Sequence, residues 1–340
     1  MRLSLRVHAN VRGAVLLALL CGCISAPQAD PARIVRGPLA TRVQHPFSLT
    51  LLSMRPRRAA IQEEGTLGKA IDLAYSSIHE VLTLGPQSVH FDGETARSSV
   101  RLRRGIGNGW DVESEASVLF GTSGFLDAFI EGFHEFFGFP DAGRPLLERN
   151  QYRMRLRYHG QHVYNLVEDE YGFGDVPIVF TKQLRAESDQ GPGVAVRFGV
   201  EFPTGSSERG FGNGEFDFGL GTLFESSAGR WTVTGALDFM APGRPVAFEH
   251  AGLSLDSVYS VQAGLEFRWS DRLSLLTQLA YTSPYTRDYA MEEFGSEMLD
   301  FALGCAWQRN STVLHFAFLE DLEAAQGPDF GVQMGASWGF

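Results

Sequence analysis

The feature that most limits what this chain can become is two-residue alternation sustained over long segments. In residues 257–269, Tyr259, Val261, Ala263, Leu265, Phe267 and Trp269 share one side of an extended chain, and Ser260, Gln262, Gly264, Glu266 and Arg268 share the other. Residues 299–308 set Leu299, Phe301, Leu303, Cys305 and Trp307 against Asp300, Ala302, Gly304 and Gln308. Residues 194–202 set Val194, Val196, Phe198, Val200 and Phe202 against Ala195, Arg197, Gly199 and Glu201. Successive strand side chains point to opposite faces, so each segment is a strand with one apolar and one wet face. A soluble sandwich alternates too. These segments, however, run to about 9–13 residues, beyond the five or six usual in globular strands and matched to a tilted membrane strand. Trp110, Trp231, Trp269, Tyr281 and Trp307 sit at segment ends, as an interfacial girdle requires.

No stretch after residue 30 has the run of apolar residues that a membrane helix needs. A membrane form of the chain must therefore be a closed antiparallel barrel, because lipid leaves open sheet edges unsatisfied. The net charge of −11 argues against a nucleic-acid partner. Cys21, Cys23 and Cys305 are too few for a disulfide framework.

The N-terminus is an address. Arg2, Arg6 and Arg12 precede an apolar run from Ala14 to Leu20, the pattern of an export signal. Leu20-Cys21-Gly22-Cys23 resembles a bacterial lipobox, which would make Cys23 the lipidated first residue of the mature chain; an ordinary signal peptide cut later is the alternative. The expected organisation is a signal at 1–22, a linker at 23–45 and a barrel over 46–340.

Candidate strands lie near 47–53, 69–77, 87–93, 96–105, 109–120, 150–159, 161–168, 174–185, 193–203, 215–225, 230–240, 257–269, 272–282, 297–308, 311–320 and 329–340. Short turns alternate with long loops back from the C-terminus. Continued to the start, this rhythm gives about 16 strands; 14 or 12 follow if weaker segments drop out. The last strand carries Trp338, Ala336, Met334, Val332 and Phe330 on one face and ends in Phe340. Trp338 and Phe340 resemble the C-terminal signal read by the barrel-assembly machinery.

One segment breaks the pattern. In residues 122–140, Leu126, Phe129, Ile130, Phe133, Phe136 and Phe137 recur at helical spacing, with Asp127, Glu131, His134 and Glu135 opposite. Ser123 or Thr122 caps the start, and Gly138 with Pro140 ends it. The Phe stripe must be covered, by the barrel's own loops, by the lumen as a plug or gate, or by the lipid surface. His134 on the polar face is expected in solvent. Inward positions offer lumen charges at Arg101, Arg103, Asp111, Glu113, Glu115, Arg153, Arg155 and Arg157, as a salt-bridged wet wall or a charged constriction.

Gly124–Pro140 with Gly143-Arg144, Gly37-Pro38-Leu39, Asp92-Gly93-Glu94 and Gly172-Phe173-Gly174-Asp175 together resemble a family of proteobacterial outer-membrane proteins known only as a domain of unknown function. Glu201-Phe202-Pro203-Thr204-Gly205, with Gly210–Gly214 and Asp217, is similar to a motif of barrels related to hydrocarbon-uptake channels. The resemblance spans most of 37–340 and implies an all-β barrel without an assigned activity.

The chain carries no G-x-S-x-G, no H-E-x-x-H and no Cys/His cluster, so neither metal nor cofactor is expected. The expected function is a passive outer-membrane channel for small solutes, hydrophobic ones among them, with helix 122–140 as plug or gate. A structural or surface-interaction barrel without transport is the alternative, and a lipid-modifying enzyme the third reading. Expected partners are outer-membrane lipid, the assembly machinery and an unidentified solute.

Overall fold

A computed structural model of the chain describes residues 35–138, 143–286, 297–322 and 327–340. Cys23 and the export signal lie outside these residues. Fifteen antiparallel strands form one sheet. Twelve of them close a barrel: β1 (Leu67–Leu84), β2 (Gln87–Gly107), β3 (Trp110–Thr122), β7 (Val176–Arg185), β8 (Gly193–Phe202), β9 (Asp217–Ala228), β10 (Trp231–Ala241), β11 (Val258–Arg268), β12 (Leu273–Thr282), β13 (Met298–Arg309), β14 (Thr312–Asp321) and β15 (Phe330–Trp338). The closing seam pairs β1 with β15, from Lys69 opposite Trp338 to Ser77 opposite Phe330.

The barrel takes the smallest of the three expected strand numbers, for three physical reasons. First, segments 87–93 and 96–105 are one 21-residue strand, β2. Second, residues 47–53 are not in the wall: Pro46–Leu49 form a single helical turn, α1, inside it. Third, β4 (Arg153–Tyr158) and β5 (Gln161–Leu166) form a hairpin beyond the rim, where β4 pairs with Ser88–Asp92 of β2. β6 (Glu170–Phe173) continues β7 along β3 across a bend, where the Gly174 amide donates to the Ser117 carbonyl. Pro177, which lacks a ladder donor, sits at this bend.

Alternation sorts the wall as the sequence requires. Ile71 and Leu73 of β1 are exposed outward, as are Phe239, Tyr259, Leu265, Leu303, Leu314 and Phe316. Asp72, Arg101, Asp111, Glu115, Arg197, Asp238 and Gln333 are buried on the inner side. The final strand keeps Trp338 and Met334 outward, but Gly339 adopts φ +68° and turns Phe340 back over the turn end of the barrel. There its ring lies 4.6 Å from the Arg103 guanidinium carbon.

The end of the barrel carrying the long loops is closed by a separate apolar core. β1 and β2 overshoot the rim, and their inner-side Ile78, Val89 and Phe91 meet Met154 and Leu156 of β4, Phe47 of α1, and Phe248 of α3 (Val246–Ala251). Phe91 is fully buried. Phe91→Ala should therefore cost about 3–5 kcal/mol. Protease nicking of the 85–87 hairpin should appear before any barrel strand is cut; resistance equal to wild type would show that the cap is not held by this core.

Candidate functional site

The lumen is occupied by the chain's own residues 35–64. The segment enters at the turn end, where the Arg36 and Gly37 amides donate to Glu266 at 3.1 and 2.8 Å. It rises past β12, with Gln278 Nε2 donating to the Leu39 carbonyl at 3.0 Å. At the loop end it turns through α1, where the His45 imidazole lies 3.4 Å from Glu80. It then descends: the Leu52 amide donates to Asp217 at 2.8 Å, Arg55 reaches Glu115 at 2.7 Å, Arg57 reaches Asp111 at 2.8 Å and Arg58 reaches Glu225 at 2.5 Å. It leaves beside Gly105, where the Gly65 amide donates to the Gly105 carbonyl at 3.0 Å, and runs into β1.

The two passes are tied together and to the wall. Arg42 donates to the carbonyls of Ser48 and Leu51, both at 2.9 Å, which closes the upper turn. Arg55 Nη1 crosses to the Ala40 carbonyl at 2.7 Å. Arg197 forks onto Asp238 at 2.9 and 2.6 Å and also donates to the Arg55 carbonyl at 2.6 Å. Glycines on the wet face make room for the segment. A Cβ added at Gly219 would lie 2.9 Å from both Leu52 Cδ2 and Met54 Cε.

The sequence-derived lumen charges divide into two groups. Arg101, Arg103, Asp111, Glu113 and Glu115 do line the lumen; Arg101 faces Asp72, Arg103 meets Glu113 at 2.5 Å, and Arg97 joins Arg55 on Glu115. Arg153, Arg155 and Arg157 do not. They lie on the outer face of the cap hairpin, because β4 is no wall strand. The counter-ions Arg36, Arg42, Arg55, Arg57 and Arg58 are not foreseen from sequence, since 23–45 is an unpatterned linker there and 47–53 alternates like a strand.

The helix expected as plug lies outside the lumen. It is α2 (Asp127–Phe137). Phe129 packs on Phe330 at 5.4 Å and Phe133 on Phe318 at 6.0 Å between ring centroids. Phe330 and Phe318 point outward, in the same rows as exposed Met334 and Phe316. Phe125 stacks on Tyr75 at 5.8 Å. Leu126 is the N-cap residue, without a side-chain cap bond, and Ile130 in the first turn is fully buried. Glu94 accepts from the Phe125 and Leu126 amides at 2.8 and 2.5 Å, and Arg144 ties Asp127 to Asp329. Burial pushes the Asp329 carboxyl up, and Arg144 opposes it. His134 is buried here, not in solvent.

Between the two passes and strands β9–β13 a cavity of about 90 Å³ remains, enough for several waters. Leu51, Leu52, Met54, Met240 and Val258 give it an apolar lining, beside Asp217, Asp238 and Asp300. No group able to hold a metal ion occurs among the described residues.

Removing one partner of a buried pair strands the other. Arg57→Gln or Asp111→Asn alone should each destabilise the barrel by about 3–5 kcal/mol, and the double variant by less than the sum. Urea unfolding in vesicles measures this; strict additivity would mean that the two groups do not interact.

Comparison with known proteins places this architecture. A solved structure, the COG4313 outer membrane channel from Pseudomonas putida F1, superposes with a TM-score of 0.56 at 14% identity, covering 84% of this chain and 99% of that one. The P. putida toluene transporter TodX covers 80% of this chain and 87% of its own, at 9% identity and a TM-score of 0.34, too low to argue from. The first likeness shows the fold alone, an outer-membrane-type barrel. No curated protein matches. A family model described as "Protein of unknown function (DUF3187)" matches residues 14–340, and the chain belongs to that family.

Proposed function

We propose that this chain is a channel of the bacterial outer membrane, held shut in this conformation by its own residues 35–64. The observation that carries the reading is the double pass through the lumen, fastened by ion pairs and single hydrogen bonds instead of a sheet ladder. When the segment moves as a whole, water takes up the groups on both sides, so no buried charge is left stranded as it is when one partner is removed. With the segment displaced, the wall keeps Asp72, Arg97, Arg101, Asp111, Glu113, Glu115, Glu225 and Asp238 on its inner face, a surface that stays wet. Twelve strands lie between the eight that side chains alone can fill and the 16 or more of open porins. The apolar lining of the residual cavity favours small, partly hydrophobic solutes.

In this reading the turn end faces the periplasm and the loops face outward. The lipobox-like Cys23 would tether the segment's start on the periplasmic side, and Phe340 would present the assembly signal. The capped loop end, built on Phe47, Phe91 and Phe248, favours a second reading, a structural barrel that transports nothing.

Planar-bilayer conductance separates the two. Arg55→Gln, Arg57→Gln and Arg58→Gln together, and independently deletion of 36–61, should convert a nearly silent protein into a steadily conducting one. Barrels that insert yet stay silent in both forms would leave the structural reading standing. Wild-type conductance equal to that of the deletion would contradict the plug.

A further inference from the structure

Beyond the lumen, the outer flank beside α2 joins an exposed aromatic patch to a row of arginines. Phe125 is 70% exposed, Phe136 81% and Leu146 87%. Phe125 adjoins the outward rows through Tyr75, and Phe129 and Phe133 of the same helix adjoin them through Phe330 and Phe318; these rows are the upper edge of the outward apolar surface. Register sets what stands above. Val89 and Phe91 face Leu156 and Met154 on the cap core side, so Ser88, His90 and Asp92 face Arg157, Arg155 and Arg153 on the other. That second face is the one carrying His79 and Ser77, since His79 is opposite Asp92. Arg155 and Arg157 are exposed, and Arg153 is half-buried with Glu148 at 3.9 Å. Arg149 links the two parts, pairing with Glu131 of α2 at the start of the β4 connection.

From that apolar surface upward, the order is thus lipid-facing strand, aromatic helix, arginine row. A helix in that position lies in the interface plane, where the aromatic side chains not covered by the wall, Phe125, Phe129 and Phe136, meet acyl chains. A row of guanidinium groups one step higher matches phosphates, which they bind in a forked, charge-assisted geometry. From this juxtaposition we infer that the α2–β4 flank seats an anionic, phosphorylated lipid of the outer leaflet, its acyl chains against Phe125 and Phe136 and its phosphates on Arg153, Arg155 and Arg157. The inference rests on the membrane placement proposed above, not on the channel being gated. It also accounts for the buried Glu94–Tyr75 and Arg144–Asp127–Asp329 ties, which hold the helix flat on the wall instead of free in solution.

The test uses the full mature chain, with native mass spectrometry from detergent and bisphosphorylated acyl-glucosamine disaccharide lipid as probe. The wild type should retain this lipid, and its dephosphorylated form should bind about tenfold more weakly. Arg153→Gln, Arg155→Gln and Arg157→Gln together should lose about tenfold. These positions are on the cap surface, so the variant should keep heat-modifiable barrel mobility. Phe125→Ser with Phe136→Ser should weaken retention without removing the phosphate preference. Equal retention of the two lipid forms, wild-type retention by the triple variant, or competition by inorganic phosphate alone would overturn the inference. A chain that inserts and conducts after deletion of 36–61 yet shows no phosphate preference would overturn this inference alone; a chain that stays out of bilayers would overturn both.

Discussion

The structure depends on one constraint: a backbone without secondary structure, buried inside a barrel, must find partners for its amides and carbonyls. Residues 35–64 cross the lumen twice with only one helical turn, α1. The wall answers with side chains. Glu266 takes two consecutive amides, Asp217 takes that of Leu52, and Glu225 takes that of Ala59 at 3.1 Å. Gln278, Gln333 and Gln262 donate to the carbonyls of Leu39, Ala40 and Met54. The polarity of the inner face is therefore specific, with each group set at the height where the segment needs it.

Charge follows the same logic. Acids outnumber bases on the inner face of the strands, and the segment supplies the missing cations from Arg36, Arg42, Arg55, Arg57 and Arg58. Burying ion pairs adds little net stability against an apolar filling, but breaking one is costly. A plug fastened this way is specific in register, and water can replace its contacts once it moves. The cap differs, being held by Phe47, Phe91, Phe248 and their neighbours, and such a core gains nothing from water. The two closures of the lumen thus rest on different forces and should open under different conditions.

The barrel itself is legible in the sequence, because period two acts through every wall strand from β7 to β15, and the rows named by alternation are the rows found inside and outside. What misleads is local resemblance without tertiary context. Residues 47–53 alternate as a strand would, but Pro46–Leu49 form a helical turn and Phe47 to Leu52 are all buried, so no wet face exists there. Segments 150–159 and 161–168 are strands, yet they pair with the overshoot of β2 instead of the wall. Segment 122–140 is a helix in its central part, and Phe129 and Phe133 of its Phe stripe are matched by Phe330 and Phe318 on the outer wall, positions that period two alone cannot distinguish from any other outward-facing pair. The lumen filling does leave a trace in the sequence: wet-face glycines such as Gly199 and Gly219, and a surplus of inward acids to balance Arg55-Pro56-Arg57-Arg58.

Amide hydrogen exchange of the folded protein in detergent tests most directly whether residues 35–64 fill the barrel. The segment has almost no ladder hydrogen bonds of its own, so only enclosure by the wall can protect it. The amides of Arg36, Gly37, Leu52 and Ala59 should exchange far more slowly than those of exposed loops. Complete exchange of 36–60 within seconds, beside protected strands, would show that the segment lies outside the lumen and would contradict the account.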